Sequence, residues 1–405
     1  MDSHRNEPTK APRFTELDSL RGLAALGVVL WHYSGMYGAQ PLLGALRPLY
    51  LSGGLLVDFF FVLSGFVLSR SFDRAGRRQQ FGRNVWARIA RMYPLHLLTL
   101  LVIVAVDGLN QAAGHPPRAA NDGYHLALNL MLLQSSGLQH DYSFNGPSWS
   151  ISAEFLINVV FLGLIARGGR LGRWAMALMA LACAGVLVHY GILDHGVPVQ
   201  GMLGGVLDVS LVRCWLGFFI GTQCYRYYQA RQRDGVLVAH WRGDVVGVGA
   251  LVLVLAYMAR LIPQSHWGDV LLAALGFPGL ILGTLHSRHL RGLLQRRPLT
   301  YLGEISYSIY LVHFPLIVIS LWVAGFTGPL PMGSPWMLAG FYVLVLVSAS
   351  ASYRYVEMPS KRWLAGWWPA PQAGQAARAI ATPARRVERP RPVGSRDAAY
   401  RRLAR

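Results

Sequence analysis

Charge is scarce in this chain. Only 14% of its 405 residues are Asp, Glu, Lys or Arg, against about 25% in soluble domains. These charges are clustered, so long apolar runs lie between them. With 53% hydrophobic residues and a mean hydropathy of +0.34, the two or three soluble domains that the length alone would allow are excluded. Cysteine is nearly missing: Cys183, Cys214 and Cys224 all lie inside apolar runs. Neither a disulfide framework nor a zinc site is indicated, and no metal is expected. Acidic residues are half as many as basic ones, 19 against 38, for a net charge of +19. On a soluble protein that charge would suggest nucleic acid, but no recognisable binding module accompanies it. No internal repeat is visible, which weighs against a transporter built on inverted repeats. Nor is there a visible secretory signal, because the first twenty residues are polar and no small-residue cleavage site follows the first apolar run. That run is expected to be an uncleaved anchor.

What the sequence does contain is apolar runs of membrane-spanning length. A bilayer core near 30 Å requires about 20 apolar residues as helix. Ten such spans are expected, at 17–37, 52–69, 88–106, 149–166, 172–191, 204–224, 244–262, 268–286, 301–323 and 335–355. The stretch 124–134 is too short to cross and is expected as an interfacial or re-entrant helix. Arginines fill alternate loops: Arg70, Arg74, Arg77, Arg78 and Arg83 before the third span, Arg167, Arg170 and Arg173 before the fifth, Arg226, Arg231, Arg233 and Arg242 after the sixth, and Arg288, Arg291, Arg296 and Arg297 after the eighth. The intervening loops carry Asp107, Asp122, Asp141, Asp194 and His266. The positive-inside rule then puts both termini in the cytoplasm. The expected fold class is therefore an all-α polytopic membrane protein of about ten transmembrane helices. It comprises a cytoplasmic segment 1–16, one membrane domain 17–365 and a disordered basic cytoplasmic tail 366–405. In the tail, nine Arg face only Glu388 and Asp397, a composition suited to contact with anionic lipid.

Ionisable residues inside spans are costly, so each is a functional candidate. Arg21 lies in the opening turns of the first helix. His32, eleven residues further on, is about 16 Å deeper. Asp58 sits about a turn and a half into the second span, Glu154 five residues after Trp149 at the start of the fourth, and His313 about 18 Å into the ninth. Four titratable side chains on four helices thus converge on one layer in the outer half of the membrane. At the opposite face, Arg88 and Arg91 share one side of the third helix at i and i+3. With Arg21 they form a basic entrance suited to phosphate, which guanidinium groups bind bidentately. Several blander readings stand beside these. Asp58 could pair with a neighbouring helix, Asp208 and Arg213 could satisfy each other or a neighbour, and Gly53, Gly54, Ser64 and Gly65 suit close helix packing.

Six segments together resemble the acyltransferase family 3 membrane proteins: LDSLRGLAALGVVLWHY with ten residues between Arg21 and His32, GGLLVDFFFVLSGFVLSR, RIARMYPLHLL, PSWSISAEF, GEISYSIYLVHFPL and YVEMPSKRW. They run in the family's order from Leu17 to about Trp363. The resemblance implies an inner-membrane O-acyltransferase that moves an acyl group, usually acetyl, from cytoplasmic acetyl-CoA to a hydroxyl of a carbohydrate or glycan acceptor. It implies no permanently bound cofactor; acyl-CoA is the donor substrate, and the lipid bilayer is the surrounding partner.

The polar residues fit that chemistry. Arg21, Arg88 and Arg91 would hold the donor's phosphates while its arm threads between helices towards His32. A neutral imidazole is the natural general base for a hydroxyl attacking a thioester, with Glu154 or Asp58 orienting it as the acid does in a triad. An acyl-histidine relay is the competing route. His313, Tyr310, Ser64 and Trp149 are expected as acceptor contacts or as supports one layer out from the reacting groups. The alternative from another class is a proton-coupled transporter or flippase, since buried acids and histidines also suit proton relays.

Overall fold

The computed structural model describes residues 13–74, 81–116, 120–139, 141–167, 169–190, 202–203, 207–233 and 240–367. The chain divides into two units, Met1–Ala365 and Gly366–Arg405. All of the expected tail beyond Trp367, and residues 1–12 of the expected N-terminal segment, lie outside the described residues.

Among the described residues the architecture is helical throughout, apart from one hairpin. The first half contains α1 (Thr15–Tyr37), α2 (Leu43–Ser52), α3 (Leu55–Arg74), α4 (Phe81–Ala112), α5 (Gly123–Leu130), α6 (Trp149–Arg167) and α7 (Gly169–Tyr190). The hairpin β1 (Met202–Leu203) and β2 (Leu207–Asp208) pairs antiparallel, with Met202 opposite Asp208. There follow α8 (Val209–Arg233), α9 (Trp241–Met258), α10 (His266–Leu271), α11 (Phe277–His286), α12 (His289–Leu294), α13 (Arg297–Glu304), α14 (Ser306–Thr327), α15 (Pro335–Ser352) and α16 (Met358–Gly366). Single π-helical turns, Leu272–Gly276 and Tyr353–Glu357, join α10 to α11 and α15 to α16.

Seven helical segments are long and apolar enough to cross a membrane, or eight if α2 and α3, bent by 65°, count as one span. Each of the ten expected segments overlaps a helix, the sixth only from Val209 onward. The two outside the count are α1 and α8, which are long enough at 23 and 25 residues but too polar. Charged groups on both helices pair with other parts of the chain, which is how such groups are tolerated at membrane depth. Glu16 accepts from Gln295 at 3.1 Å, and Arg213 is paired with Asp58. Several boundaries differ from expectation, two of them for visible physical reasons. The ninth segment starts at Ser306 rather than 301, because α13 forms a separate short helix whose Gly303 abuts the Asp18 backbone, leaving no room for a Cβ. The stretch 124–134 is helical only over Gly123–Leu130, opened by the Asp122 carboxylate accepting the His125 amide at 2.8 Å.

Close approach of helices then fixes the registers that matter for the site. A Cβ at Gly65 would lie 2.0 Å from the Phe218 carbonyl oxygen, and one at Gly221 would lie 1.9 Å from that of Val62. The backbones of α3 and α8 therefore touch, as small residues permit. In α14, Pro315 has no N–H to offer the Leu311 carbonyl. The Asn145 side chain donates to that carbonyl instead, at 3.2 Å, and ties the loop before α6 to α14. The π turn at Tyr353–Glu357 carries Glu357 inwards, where it accepts the Ser308 hydroxyl at 2.8 Å.

Candidate active site

Five helices enclose a cavity of about 700 Å³ counting its open mouth. On α3, Val57, Phe60, Phe61, Ser64 and Val67 recur at helical spacing along one face. On α6, Ser150 and Glu154 lie one turn apart, and on α14 Ser306, Tyr307 and Tyr310 do the same. Arg21 comes from α1, and Arg88 and Arg91 from α4. The three arginines thus line one cavity.

The guanidinium groups are not equivalent. Arg21 donates to Asp18 at 3.1 Å, and Asp18 also takes Arg13 at 2.5 Å. Arg88 and Arg91 make no hydrogen bond or ion pair among the described residues, so their donors face the cavity uncommitted. The acid of the cavity, Glu154, accepts a short hydrogen bond from Ser64. It is not in ion-pair contact with any of the three arginines. Tyr307 pins the wall by donating to the Met92 carbonyl at 2.5 Å. The result is a cavity with an excess of positive charge, a setting for an anionic ligand.

His32 and His313 do not line this cavity. They meet each other instead: His313 Nε2 lies 3.3 Å from His32 Nδ1, with ring centroids 5.0 Å apart. His32 Nδ1 also faces the Val28 carbonyl at 3.1 Å, and His313 Nδ1 faces that of Ile309 at 3.2 Å. His313 is fully buried, whereas His32 is half-buried. Tyr310 joins the two regions. It lines the cavity, its ring centroid is 5.9 Å from that of His313, and its hydroxyl bonds Ser150 at 2.7 Å and the Pro147 carbonyl at 3.0 Å.

The four titratable groups expected in one layer therefore separate into three settings, and among the described residues no carboxylate is hydrogen-bonded to His32. Asp58 is held by Arg213, with Nη2–Oδ2 at 2.6 Å and Nε–Oδ1 at 3.1 Å. Among the described residues no hydrogen bond joins Asp58 to His32, whose Nδ1 faces Val28 and His313 instead. Of the two alternatives for Arg213, the neighbouring helix is the one realised, because Asp208 bonds the Ser210 amide at 2.8 Å and opens α8. Trp149 packs its ring against the Arg213 guanidinium at 5.3 Å and against Phe61. It thus serves the ion pair rather than the cavity. Sequence reasoning overlooked Ser150 and Tyr307. Each stands four or three residues from a chosen candidate on the same helix, and that spacing was the available signal.

Residues 14–354 match the acyltransferase 3 family, described as an acyltransferase domain. The chain is 28% identical over 380 residues to the acyltransferase MdmB of Streptomyces mycarofaciens, covering 88% of this chain and 94% of that protein. It is 30% identical over 193 residues to protein 2 in the picA locus of Rhizobium radiobacter, covering 44% of this chain and 93% of the other. Similarity to the O-acetyltransferase OatA of Staphylococcus aureus (strain NCTC 8325 / PS 47) is 23% over 410 residues, covering 89% of this chain but 59% of OatA. No solved structure matches. The family match covers most of the chain, from the start of α1 to the end of α15, and every segment that carried the resemblance lies in or beside it: the chain belongs to the acyltransferase 3 family and is an integral-membrane acyltransferase.

Proposed function

We propose that this protein transfers an acyl group, acetyl in the simplest case, from cytoplasmic acyl-CoA to a carbohydrate hydroxyl at the outer face of a bacterial inner membrane. The observation that carries this reading is the pair of uncommitted guanidinium groups, Arg88 and Arg91, in a cavity that ends at Tyr310 beside the histidine pair. Guanidinium groups bind phosphate bidentately, and acyl-CoA carries phosphates at one end and its thioester at the far end of a thin arm. Phosphates at Arg88, Arg91 and Arg21 would direct that arm along the apolar wall of Phe60, Phe61 and Val67. Ten membrane crossings, with the arginine-rich loops and both termini in the cytoplasm, give the donor its entry from the inside. Residues 17–365 would form the membrane domain, and 366–405 a basic tail at the anionic inner leaflet.

In the chemical step His32 acts as general base. The acceptor hydroxyl loses its proton to the imidazole, its oxygen forms a bond to the thioester carbonyl carbon, and the carbon–sulfur bond breaks. The proton then passes to the departing thiolate, giving free CoA. The O-acetyltransferase name of OatA supports acetyl as the group and oxygen as the receiving atom. Glu154, held by Ser64 among the arginines, would tune the charge of the donor site.

Reconstitution in sealed liposomes tests the sidedness. Protein oriented by protease accessibility of its termini is given acetyl-CoA on one side and an oligosaccharide acceptor on the other. Acetylation is expected only with donor on the side of the termini. Equal transfer with donor on either side would overturn the cytoplasmic-donor reading.

A further inference from the structure

We propose that His313 is the positioning residue of the chemical step, filling with a neutral imidazole the place that a carboxylate takes in a triad. The inference rests on the reading of His32 as general base and adds which nitrogen reacts and what holds it. Each ring has its Nδ1 against a helix carbonyl, at 3.1 Å for His32 with Val28 and at 3.2 Å for His313 with Ile309. A carbonyl only accepts, so each of these nitrogens must carry the proton. The opposite tautomer would set lone pair against lone pair at both places. A neutral imidazole protonated on Nδ1 has a bare Nε2. His313 Nε2 is therefore an acceptor, and it lies 3.3 Å from the protonated Nδ1 of His32. His32 Nδ1–H is shared between Val28 and His313, while His32 Nε2 keeps its lone pair free for the substrate hydroxyl.

The arrangement also accounts for the lack of a carboxylate bonded to either ring among the described residues. Asp58 is committed to Arg213 and Glu154 to Ser64. A third ionised acid at buried His313 would lack a counter-charge, and isolated buried charges are costly. A neutral acceptor orients the base without that cost. When His32 Nε2 takes the hydroxyl proton, the ring becomes an imidazolium whose Nδ1–H bond to His313 strengthens, as charge-assisted hydrogen bonds do. The proton later leaves from the same Nε2 to the thiolate sulfur, so His313 neither gains nor loses a proton. Its own ring is held by the Ile309 carbonyl, with the ring of Tyr310 5.9 Å away.

Two measurements test this on the full chain. Solid-state 15N spectra of histidine-labelled protein in lipid bilayers, with His32→Ala and His313→Gln for assignment, report the tautomers without substrate. His32 is expected to be protonated on Nδ1, with a coupling across the hydrogen bond to His313 Nε2. Protonation of His32 on Nε2, or a proton on His313 Nε2, would overturn the proposal. The second measurement follows free thiol from acetyl-CoA with a chitooligosaccharide as acceptor. His313→Leu should lower kcat by about 10²–10⁴-fold, with KM for acetyl-CoA within about threefold. His313→Gln, whose amide oxygen can accept from Nδ1–H, should recover at least about tenfold of that loss. Equal activity of the Gln and Leu variants would refute positioning. Should His32→Ala turn over like the wild type, the general-base reading itself falls. If His32→Ala is inactive while His313→Leu is not, the inference about His313 alone falls.

Discussion

The ion pair between α3 and α8 makes a quantitative prediction. The Arg213 side chain is 0% exposed and that of Asp58 5%, and they share two hydrogen bonds of 2.6 and 3.1 Å. Arg213 Nη1 has no hydrogen-bond partner among the described residues, so Asp58 carries most of the compensation for a charge placed among apolar helices. Asp58→Leu leaves that guanidinium buried and unpaired. Breaking such a pair from one side costs about 3–5 kcal/mol, which corresponds to a fall in apparent Tm on the order of 5–10 °C. Replacing both partners, Asp58→Leu with Arg213→Met, removes the uncompensated charge and should recover most of the loss, as double replacement of buried pairs does. Thermal unfolding in detergent can be followed with a thiol-reactive fluorophore, because Cys214 and Cys224 on α8 are buried and free. A single variant within about 2 °C of the wild type, or a double variant no more stable than the single, would refute the reasoning.

Other expectations can be checked in the same preparation. Arg88→Ala with Arg91→Ala removes the two uncommitted cations of the cavity and should raise KM for acetyl-CoA at least about tenfold, at about 1.4 kcal/mol per decade. Unchanged KM would place the phosphates elsewhere. At the helix seam, Gly221→Leu must push α8 away from the Val62 carbonyl, and overpacking of this kind costs about 1–3 kcal/mol or more. The same change at Gly108, where a Cβ meets nothing within 4 Å, should leave the apparent Tm within about 1–2 °C of the wild type. Asn145→Leu leaves the Leu311 carbonyl unpaired beneath Pro315, and a loss of about 1–3 kcal/mol is expected. A smaller loss would mean that the loop is tied to α14 by other contacts.

The sequence was most informative where length alone carries the signal. Apolar runs located all ten long helical segments, and the i, i+3 spacing of Arg88 and Arg91 put both on one face of α4. Depth along a helix was legible too, which is why His32 and His313 were expected in the same layer. Azimuth was not. Whether Asp58 points at His32 or at Arg213 depends on how α3 rotates against α8, and contacts at Gly65, Gly217 and Gly221 set that rotation. Asp208 and Arg213 were separable in principle: Asp208 precedes the helix, where a carboxylate caps an exposed amide, and it does so at Ser210. The meeting of the two histidines requires α1 and α14 to pack side by side across 281 residues of chain, a distance that no local pattern spans.

The central claim is that cavity arginines hold an acyl-CoA whose thioester is attacked with help from His32. Free CoA thiol released from acetyl-CoA by the purified protein, compared among wild type, His32→Ala and the Arg88→Ala, Arg91→Ala double variant, tests it most directly. A transporter would release none. The account predicts release by the wild type, loss of kcat in the His32 variant and a raised KM in the arginine variant. Wild-type release that persists unchanged in both would contradict it.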